Sequence, residues 1–358
     1  MVCTRMAVGR AAMPSVPMAI NQDVKALFPA PGVSSAYLLK LLQFIQPKAE
    51  AQAVGSTVKG IRIQDYLDIK VPIADTDAQP VIACVLDTLD TTIHETEAII
   101  AKLKAVKQGL LHDLLTRGID PNGELRPPQA EALHLYKQSP LGWIPKEWRA
   151  ESLADITTLV TSGSRGWAAH YSDVGALFVR SQNIRTGYLD LSDRQHVFLP
   201  MGGEGQRTRL ESLDLLITIT GNGVGNVAHI PDGWTEVAYV SQHVGLVRFL
   251  EPPLALLATQ FLVQGAPGNK QLLDSQYGQS KPGLSLDNLR NLYIPVPPTS
   301  ERELIVERLS CVQERVDEEI RYASQLRELK SGLMDDLLTG RVRVTPLLAK
   351  TAQQQESA

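Results

Sequence analysis

Gly109-Leu-Leu-His-Asp-Leu-Leu-Thr116 and Gly332-Leu-Met-Asp-Asp-Leu-Leu-Thr339 are one phrase written twice, 223 residues apart. A repeat fixes an architecture before any short motif does, because both copies must fold alike. The same offset aligns Gly55 to Ile119 with Gly278 to Val342 without a gap. Identities include Gly55 with Gly278, Gly60 with Gly283, Pro72 with Pro295, Ile82 with Ile305, Leu86 with Leu309, Leu103 with Leu326 and Lys107 with Lys330.

Each copy runs from a short strand-like segment, Leu67 to Ile73 or Leu292 to Val296, through Pro72 or Pro295 into a long periodic stretch. In copy one Leu86, Ile93, Ile100, Lys107 and Leu114 fall on one seven-residue grid, and Ile82, Leu89, Thr96, Leu103 and Leu110 on the offset grid. Copy two keeps the register with Leu309, Val316, Ala323, Lys330 and Leu337, and with Ile305, Val312, Glu319, Leu326 and Leu333. These are the a and d positions of a coiled coil. A lysine at an a position costs stability but fixes register, which is one reading of Lys107 and Lys330; a lysine snorkelling to water is the other. Each helix is expected to end at Gly118 or Gly340, and about 38 residues at 1.5 Å each span roughly 57 Å. Two such helices bury their seams most economically on each other, as an antiparallel pair; packing of each on its own domain is the alternative.

Between them, Gly118 to Ser139 reads as an irregular linker, and Pro140-Leu-Gly-Trp-Ile-Pro-Lys-Glu-Trp148 opens a new domain. From there to Pro295 short apolar runs (Leu177 to Val179, Leu215 to Ile219, Val227 to Ile230, Val244 to Phe249) alternate with Gly, Asn, Asp and Pro clusters, with a helix expected over Leu254 to Gln264. The class is α+β. Shortened landmarks of the same domain precede the first helix. Val8 to Ala12 resembles Val224 to Ala228, Asn21-Gln22-Asp23 resembles Ser241-Gln242-His243, and Ala36 to Gln43 resembles the later helix. By extrapolation the counterpart of Pro140 falls about 80 residues before Met1, so copy one is expected to lack its front half, through a misplaced start, a deletion or a frameshift.

Composition narrows the function. The net charge is −4, and Pro140 to Pro295 holds 12 Lys and Arg against 14 Asp and Glu, which excludes bulk electrostatic gripping of nucleic acid by this chain alone. Cys3, Cys84 and Cys311 have no metal-ligand spacing and no partner pattern. No apolar run is long enough for a membrane span and the start has no leader pattern, so a cytoplasmic protein is expected. Catalytic signatures are missing as well: no Gly-x-x-x-x-Gly-Lys-Ser/Thr, no Asn-Pro-Pro-Tyr, no His-Glu-x-x-His. Glu328-Leu-Lys330 has nuclease-like spacing but lies on the heptad grid.

The Pro140-Leu-Gly-Trp-Ile-Pro opening with Trp148, the Phe178-Val-Arg-Ser-Gln-Asn-Ile184 run followed by Gly187, and the twice-used long helix ending in Asp-Leu-Leu-Thr together resemble the specificity subunit of type I restriction-modification systems. The resemblance covers essentially the whole chain. It implies strand-rich target-recognition domains, each reading half of a split double-stranded DNA site, alternating with helices that pair as an antiparallel coiled coil. It implies docking to methyltransferase (modification) subunits and a restriction/translocase subunit, with no cofactor on this chain and S-adenosylmethionine, Mg and ATP on those partners. The expected boundaries are 1–74 for the incomplete first recognition domain, 75–118 for the first spacer helix, 119–139 for a linker, 140–298 for the second recognition domain, 299–343 for the second helix and 344–358 for a disordered tail. The family usually has Glu-Gln at the helix opening and an Asp about a dozen residues on; here Ala78-Gln79 with Asp90 and Glu301-Arg302 with Gln313 stand there, which is expected to weaken docking. The shortened first domain admits two alternatives: a homodimer that rebuilds two readers, or a coiled-coil scaffold that has lost readout.

Reading a base edge takes paired donors or acceptors on loops above a rigid sheet. Ser162, Ser164 and Arg165 in Thr161-Ser-Gly-Ser-Arg-Gly-Trp167 fit that need, or form a surface turn. Arg180, Gln182 and Asn183 fit it too, although an Asn there caps a turn equally well. Gln242 and His243 with Lys281 form a third group, and Arg207 and Arg209 are phosphate contacts or part of a solvated loop. Gly221-Asn-Gly-Val-Gly225 reads as a tight hairpin. The helix-pairing residues expected are Leu86, Leu89, Ile93, Leu103, Lys107 and Leu110 with Leu309, Val312, Val316, Leu326, Lys330 and Leu333.

Overall fold

A computed structural model describes residues 1–198, 205–278 and 282–344. The chain forms two compact units, Met1–Ala101 with Asp317–Ala358, and Lys102–Val316, so the division cuts both long helices rather than following the helix boundaries expected from sequence.

In the first unit β1 (Val2–Cys3) pairs antiparallel with β2 (Val24–Lys25). α1 (Ser35–Phe44) starts at Ser34, whose hydroxyl accepts a hydrogen bond from the Tyr37 amide at 3.1 Å. α2 (Gln46–Gln52) and α3 (Ile63–Leu67) follow, around a core of Val2, Val8, Ile45, Ala49, Ile61 and Tyr66. Leu67 to Ile73 is not a strand: Leu67 closes α3 and residues 69–75 run without secondary structure. A strand exists only where a neighbour takes its backbone hydrogen bonds, and none lies alongside here among the described residues.

α4 (Ala78–Thr116) leads into the second unit. Gly118 ends it with φ +66°, beneath Trp148 and Glu301, where a β-carbon would collide with both side chains. The segment expected to be a linker is packed instead: Ile119, Arg126, Ala132 and Tyr136 are buried, because Arg126 forms a doubly bonded pair with buried Glu301. The domain therefore starts before Pro140, with the hairpin of β3 (Tyr136–Ser139) and β4 (Gly142–Pro145). β5 (Arg149–Ser152), α5 (Leu153–Ile156), β6 (Thr157–Ser162), β7 (Tyr171–Ser172), β8 (Ala176–Val179), β9 (His196–Val197), β10 (Leu215–Thr218), β11 (Val227–His229), β12 (Ala238–Val240) and β13 (Val244–Phe249) follow. They form two four-stranded sheets, ordered β11-β10-β13-β6 and β12-β8-β9-β7. α6 (Leu254–Leu262), α7 (Asn269–Asp274) and α8 (Leu286–Arg290) come next. β14 (Tyr293–Val296) then pairs with β5, giving copy two the strand that copy one lacks, and leads into α9 (Thr299–Leu338).

The two long helices pair antiparallel. In the first unit Ile82 and Leu86 near the start of α4 share a core with Leu333, Leu337 and Leu338 near the end of α9. In the second, Leu111 and Leu114 share one with Ile305 and Leu309. Every a and d position of both grids is buried or half-buried. The lysines are reciprocal: Lys107 donates to Gln313 in one unit and Lys330 to Asp90 in the other, and these positions exchange under the repeat offset. Both lysines are half-buried and bonded across the helix pair. The unusual helix-opening residues are bonded inside the chain rather than presented outward. Gln79, almost fully buried, accepts from the Ser34 amide at 2.8 Å and donates to the Gly32 and Ala74 carbonyls at 3.0 Å each. Arg302 donates to Glu251 at 3.0 Å, and Glu301 accepts from the Ile119 amide at 2.8 Å.

Candidate nucleic-acid interface

The two sheets of the second unit bring four loops to one edge. β6 and β13 are antiparallel with Ser162 opposite Gly245, and β10 sets Thr218 opposite Val244. β8 and β12 are parallel, so Val179 and Val240 finish side by side. The segments leaving at this edge are tied by backbone bonds: Ser241 N–H to the Val179 carbonyl at 2.9 Å, Ile219 N–H to the His243 carbonyl at 2.9 Å, and Leu284 N–H to the Ile219 carbonyl at 2.8 Å. Glycine is required at 163, where a β-carbon would lie 2.0 Å from the Val240 carbonyl oxygen.

Arg165 stands exposed at the tip of its loop, with Ser162 and Ser164 half-buried at its base. The loop is anchored by Trp167, buried and stacked on Phe178 with centroids 5.2 Å apart and tilted against Tyr239 at 5.4 Å. Gly205 backs onto the same indole, so the turn Gln206–Thr208 that carries exposed Arg207 shares an anchor with Arg165. Arg209 is exposed at the end of that turn, and its carbonyl accepts from Arg248 at 3.0 Å. Arg248 also grips Asp214 at 2.8 Å; burial nevertheless pushes the Asp214 carboxyl above its ordinary range.

Arg180 and Gln182 converge on Asp193, at 3.0 Å and 2.7 Å, and Gln182 is exposed. Asn183 is not available to read DNA. It is buried, its carbonyl accepts from the Arg180 amide at 3.0 Å, and its amide donates to the carbonyls of Asp190 and Asp193 at 2.9 Å each, so it holds the loop's shape. His243 and Gln242 are exposed and adjacent, with His243 Nδ1 2.6 Å from the Thr220 hydroxyl. Lys281 lies outside the described residues, as do residues 345–358 of the expected tail. Sequence reasoning missed Tyr277, which is 56% exposed and bridges Gly283, itself bridged to Thr220. The signal was an aromatic directly before the glycine that opens the aligned repeat.

Charge distinguishes these residues better than type. Most cations of this domain are paired with carboxylates, Arg185 with Asp190, Arg194 with Glu236 and Arg290 with Asp287 among them. Among the described residues Arg165, Arg207 and Arg209 form no ion pair. Within a net-negative domain, these three guanidinium groups are thus set apart from the cations that pair with described carboxylates. No group of His, Cys, Asp and Glu among the described residues could hold a metal ion, and no described helix is long and apolar enough to cross a membrane.

A strand-rich module, a shorter and mainly helical copy of its back half, and two long helices that pair antiparallel match a known architecture. The S subunit of a type I restriction-modification system from M. genitalium superposes with a TM-score of 0.58 at 17% identity, over 94% of this chain and 82% of that one. Residues 2–105 match the type I restriction modification DNA specificity domain. The MjaVIII specificity subunit of Methanocaldococcus jannaschii is 22% identical over 315 residues, covering 87% of this chain and 71% of the relative. The EcoBI specificity subunit of Escherichia coli is 24% identical over 262 residues, covering 71% and 53%. Residues 2–105 thus match a type I restriction modification DNA specificity domain, and over most of its length the chain is similar to specificity subunits of type I restriction-modification systems.

Proposed function

We propose that the second unit reads one half of a bipartite DNA site through the loop edge built by Arg165, Gln182, Gln242 and His243, with Arg207 and Arg209 on phosphates. The observation that carries this reading is the convergence of four loops on one sheet edge, with exposed Arg165, Arg207 and Arg209 beside them. A guanidinium matches guanine O6 and N7, an amide matches adenine N6 and N7, and loops on a rigid sheet hold such groups in place.

The paired helices dock methyltransferase subunits in this reading, and a restriction/translocase subunit joins through them. Support comes from exposed apolar side chains off the seam that recur at repeat-equivalent positions: Ile99 with Tyr322, and Val106 with Leu329. Apolar residues exposed away from their own core, and duplicated, suit two copies of one partner. The chain itself is non-catalytic in this reading; S-adenosylmethionine, Mg and ATP belong to the partners, and the complex works in the cytoplasm.

The test is DNA binding by the chain assembled with its modification subunit, measured across a salt series. Arg165→Ala is expected to cost about 1–3 kcal/mol and relax specificity at one base pair, and Arg207→Ala to weaken all sequences alike and lower the salt slope by about one. Unchanged binding in both variants would favour the scaffold reading, to which the domain's net negative charge otherwise lends support.

A further inference from the structure

Arg180 and Gln182 converge on a residue that the sequence alone does not single out. Asp193 lies between the Ser181–Asn183 turn and β9, and its side chain is 68% exposed. Its main chain is pinned: the buried Asn183 side-chain amide donates to the Asp193 carbonyl at 2.9 Å, and Arg180 Nη2 donates to the same oxygen at 3.2 Å. The segment is tied on both sides as well. The Asp190 N–H donates to the Asn183 carbonyl at 2.7 Å, and the Phe178 N–H on β8 donates to the Gln195 carbonyl at 2.7 Å. Arg180 Nη2 also lies 3.0 Å from the Asp193 carboxylate, so the side chain is held along with its backbone.

What this carboxylate fixes is the Gln182 amide, whose Nε2 donates to Asp193 Oδ2 at 2.7 Å. A primary amide has a donor end and an acceptor end that exchange by half a turn about the last side-chain torsion, which is broad and roughly two-fold. A carboxylate only accepts, so the nitrogen must face Asp193, and the Oε1 acceptor is the end left to point elsewhere. In the major groove adenine N6 and cytosine N4 donate, whereas guanine O6 and thymine O4 accept. Every base pair carries one donor of that kind and one acceptor, on opposite strands. An amide of fixed polarity therefore distinguishes a base pair from the same pair inverted, and an amide free to turn does not.

We propose that Asp193 is a specificity-determining positioning residue. It fixes the polarity of Gln182, so that the loop edge accepts a hydrogen bond from the amino group of adenine or cytosine on the strand Gln182 faces and rejects the inverted pair. Arg180 anchors the carboxylate and is not itself a reader. This role rests on base reading by Gln182, as proposed for the loop edge, and gives that reading its sign. Asp193→Asn isolates it. The variant is isosteric and keeps the main-chain carbonyl that Asn183 and Arg180 hold. It offers Gln182 a donor as well as an acceptor, so the Gln182 amide can turn either way.

The test is binding selection from DNA duplexes randomised across the site, by the chain assembled with its modification subunit, comparing the intact chain with Gln182→Ala and Asp193→Asn. Gln182→Ala is expected to relax one base pair. At that same base pair Asp193→Asn should lower the preference over the inverted pair from about tenfold or more to about twofold or less, and leave the other positions as they were. If Gln182→Ala relaxes a base pair at which Asp193→Asn changes nothing, base reading stands and the role of Asp193 is overturned. A rise or fall in affinity for all duplexes alike in Asp193→Asn, with the preferred sequence unchanged, overturns it too and assigns the carboxylate to overall charge or to folding. If Gln182→Ala itself leaves the preferred sequence unaltered, base reading by Gln182 fails and the role of Asp193 fails with it.

Discussion

The two modules share their back halves closely and part company at the front. Val54 and Gly60 bridge in one copy as Tyr277 and Gly283 do in the other, and α2 and α3 stand where α7 and α8 stand. Yet Met18–Ile20 is open where Ala238–Val240 is buried. Backbone hydrogen bonds between local turns are common to both back halves, and the front half of the second unit adds burial of apolar side chains and strand partners.

The helix openings differ in a second way that can be tested by substitution. Glu301 in copy two faces buried Arg126 and the Ile119 amide, whereas its counterpart in copy one is Ala78. Glu301→Ala leaves buried Arg126 with only the more distant and exposed Glu147 carboxylate, 3.8 Å away, and is expected to destabilise the second unit by about 3 kcal/mol in urea unfolding. A loss no larger than that of a surface substitution would show that solvent reaches Arg126. Gln79→Ala is next in size. It strips partners from the Ser34 amide and from the Gly32 and Ala74 carbonyls, for an expected loss of about 1–3 kcal/mol confined to the first unit.

The smallest effect concerns the seam. Burial acts to raise the Asp90 carboxyl, but hydrogen bonds from Lys330 and Lys40 outweigh it and hold the group below the ordinary carboxylate range. A depressed acid stabilises the fold fully above its unfolded value, about 3.9, and that contribution disappears as pH falls through the lower folded value. Gln313, which replaces Asp90 in copy two, does not titrate. Hydrogen exchange corrected for intrinsic rates should therefore show residues 82–98 of α4 loosening below about pH 4 by this route, while the Lys107–Gln313 contact is insensitive. Asp90→Asn should remove that acid step; persistence of the step in the variant would assign it to other carboxylates.

Much of this organisation is legible in the sequence because heptads and repeats are one-dimensional signals. Each a and d position found from spacing is buried or half-buried, and the reciprocal lysines follow from the same grid. Failures occur where a residue's partner is remote in the chain. Leu67 to Ile73 and Tyr293–Val296 look alike, and only the presence of β5 makes the second a strand. Gln79 and Glu301 looked like outward-facing docking residues because their partners, Gly32, Ser34 and Arg126, are not neighbours in sequence. Asn183 has the right chemistry for adenine, and only its burial with every polar atom engaged removes it from the reading surface. Arg165 could be singled out by type, but its exposure at the tip of a loop anchored by Trp167 is a fact of geometry.

The central claim, that the loop edge of the second unit specifies DNA sequence, is tested most directly by methylome sequencing of a host expressing the chain with its modification subunit, against an Arg165→Ala, Gln182→Ala double variant. The account predicts a methylated motif with the intact chain, and loss or relaxation of one half of that motif in the variant. An unaltered motif in the variant would contradict it.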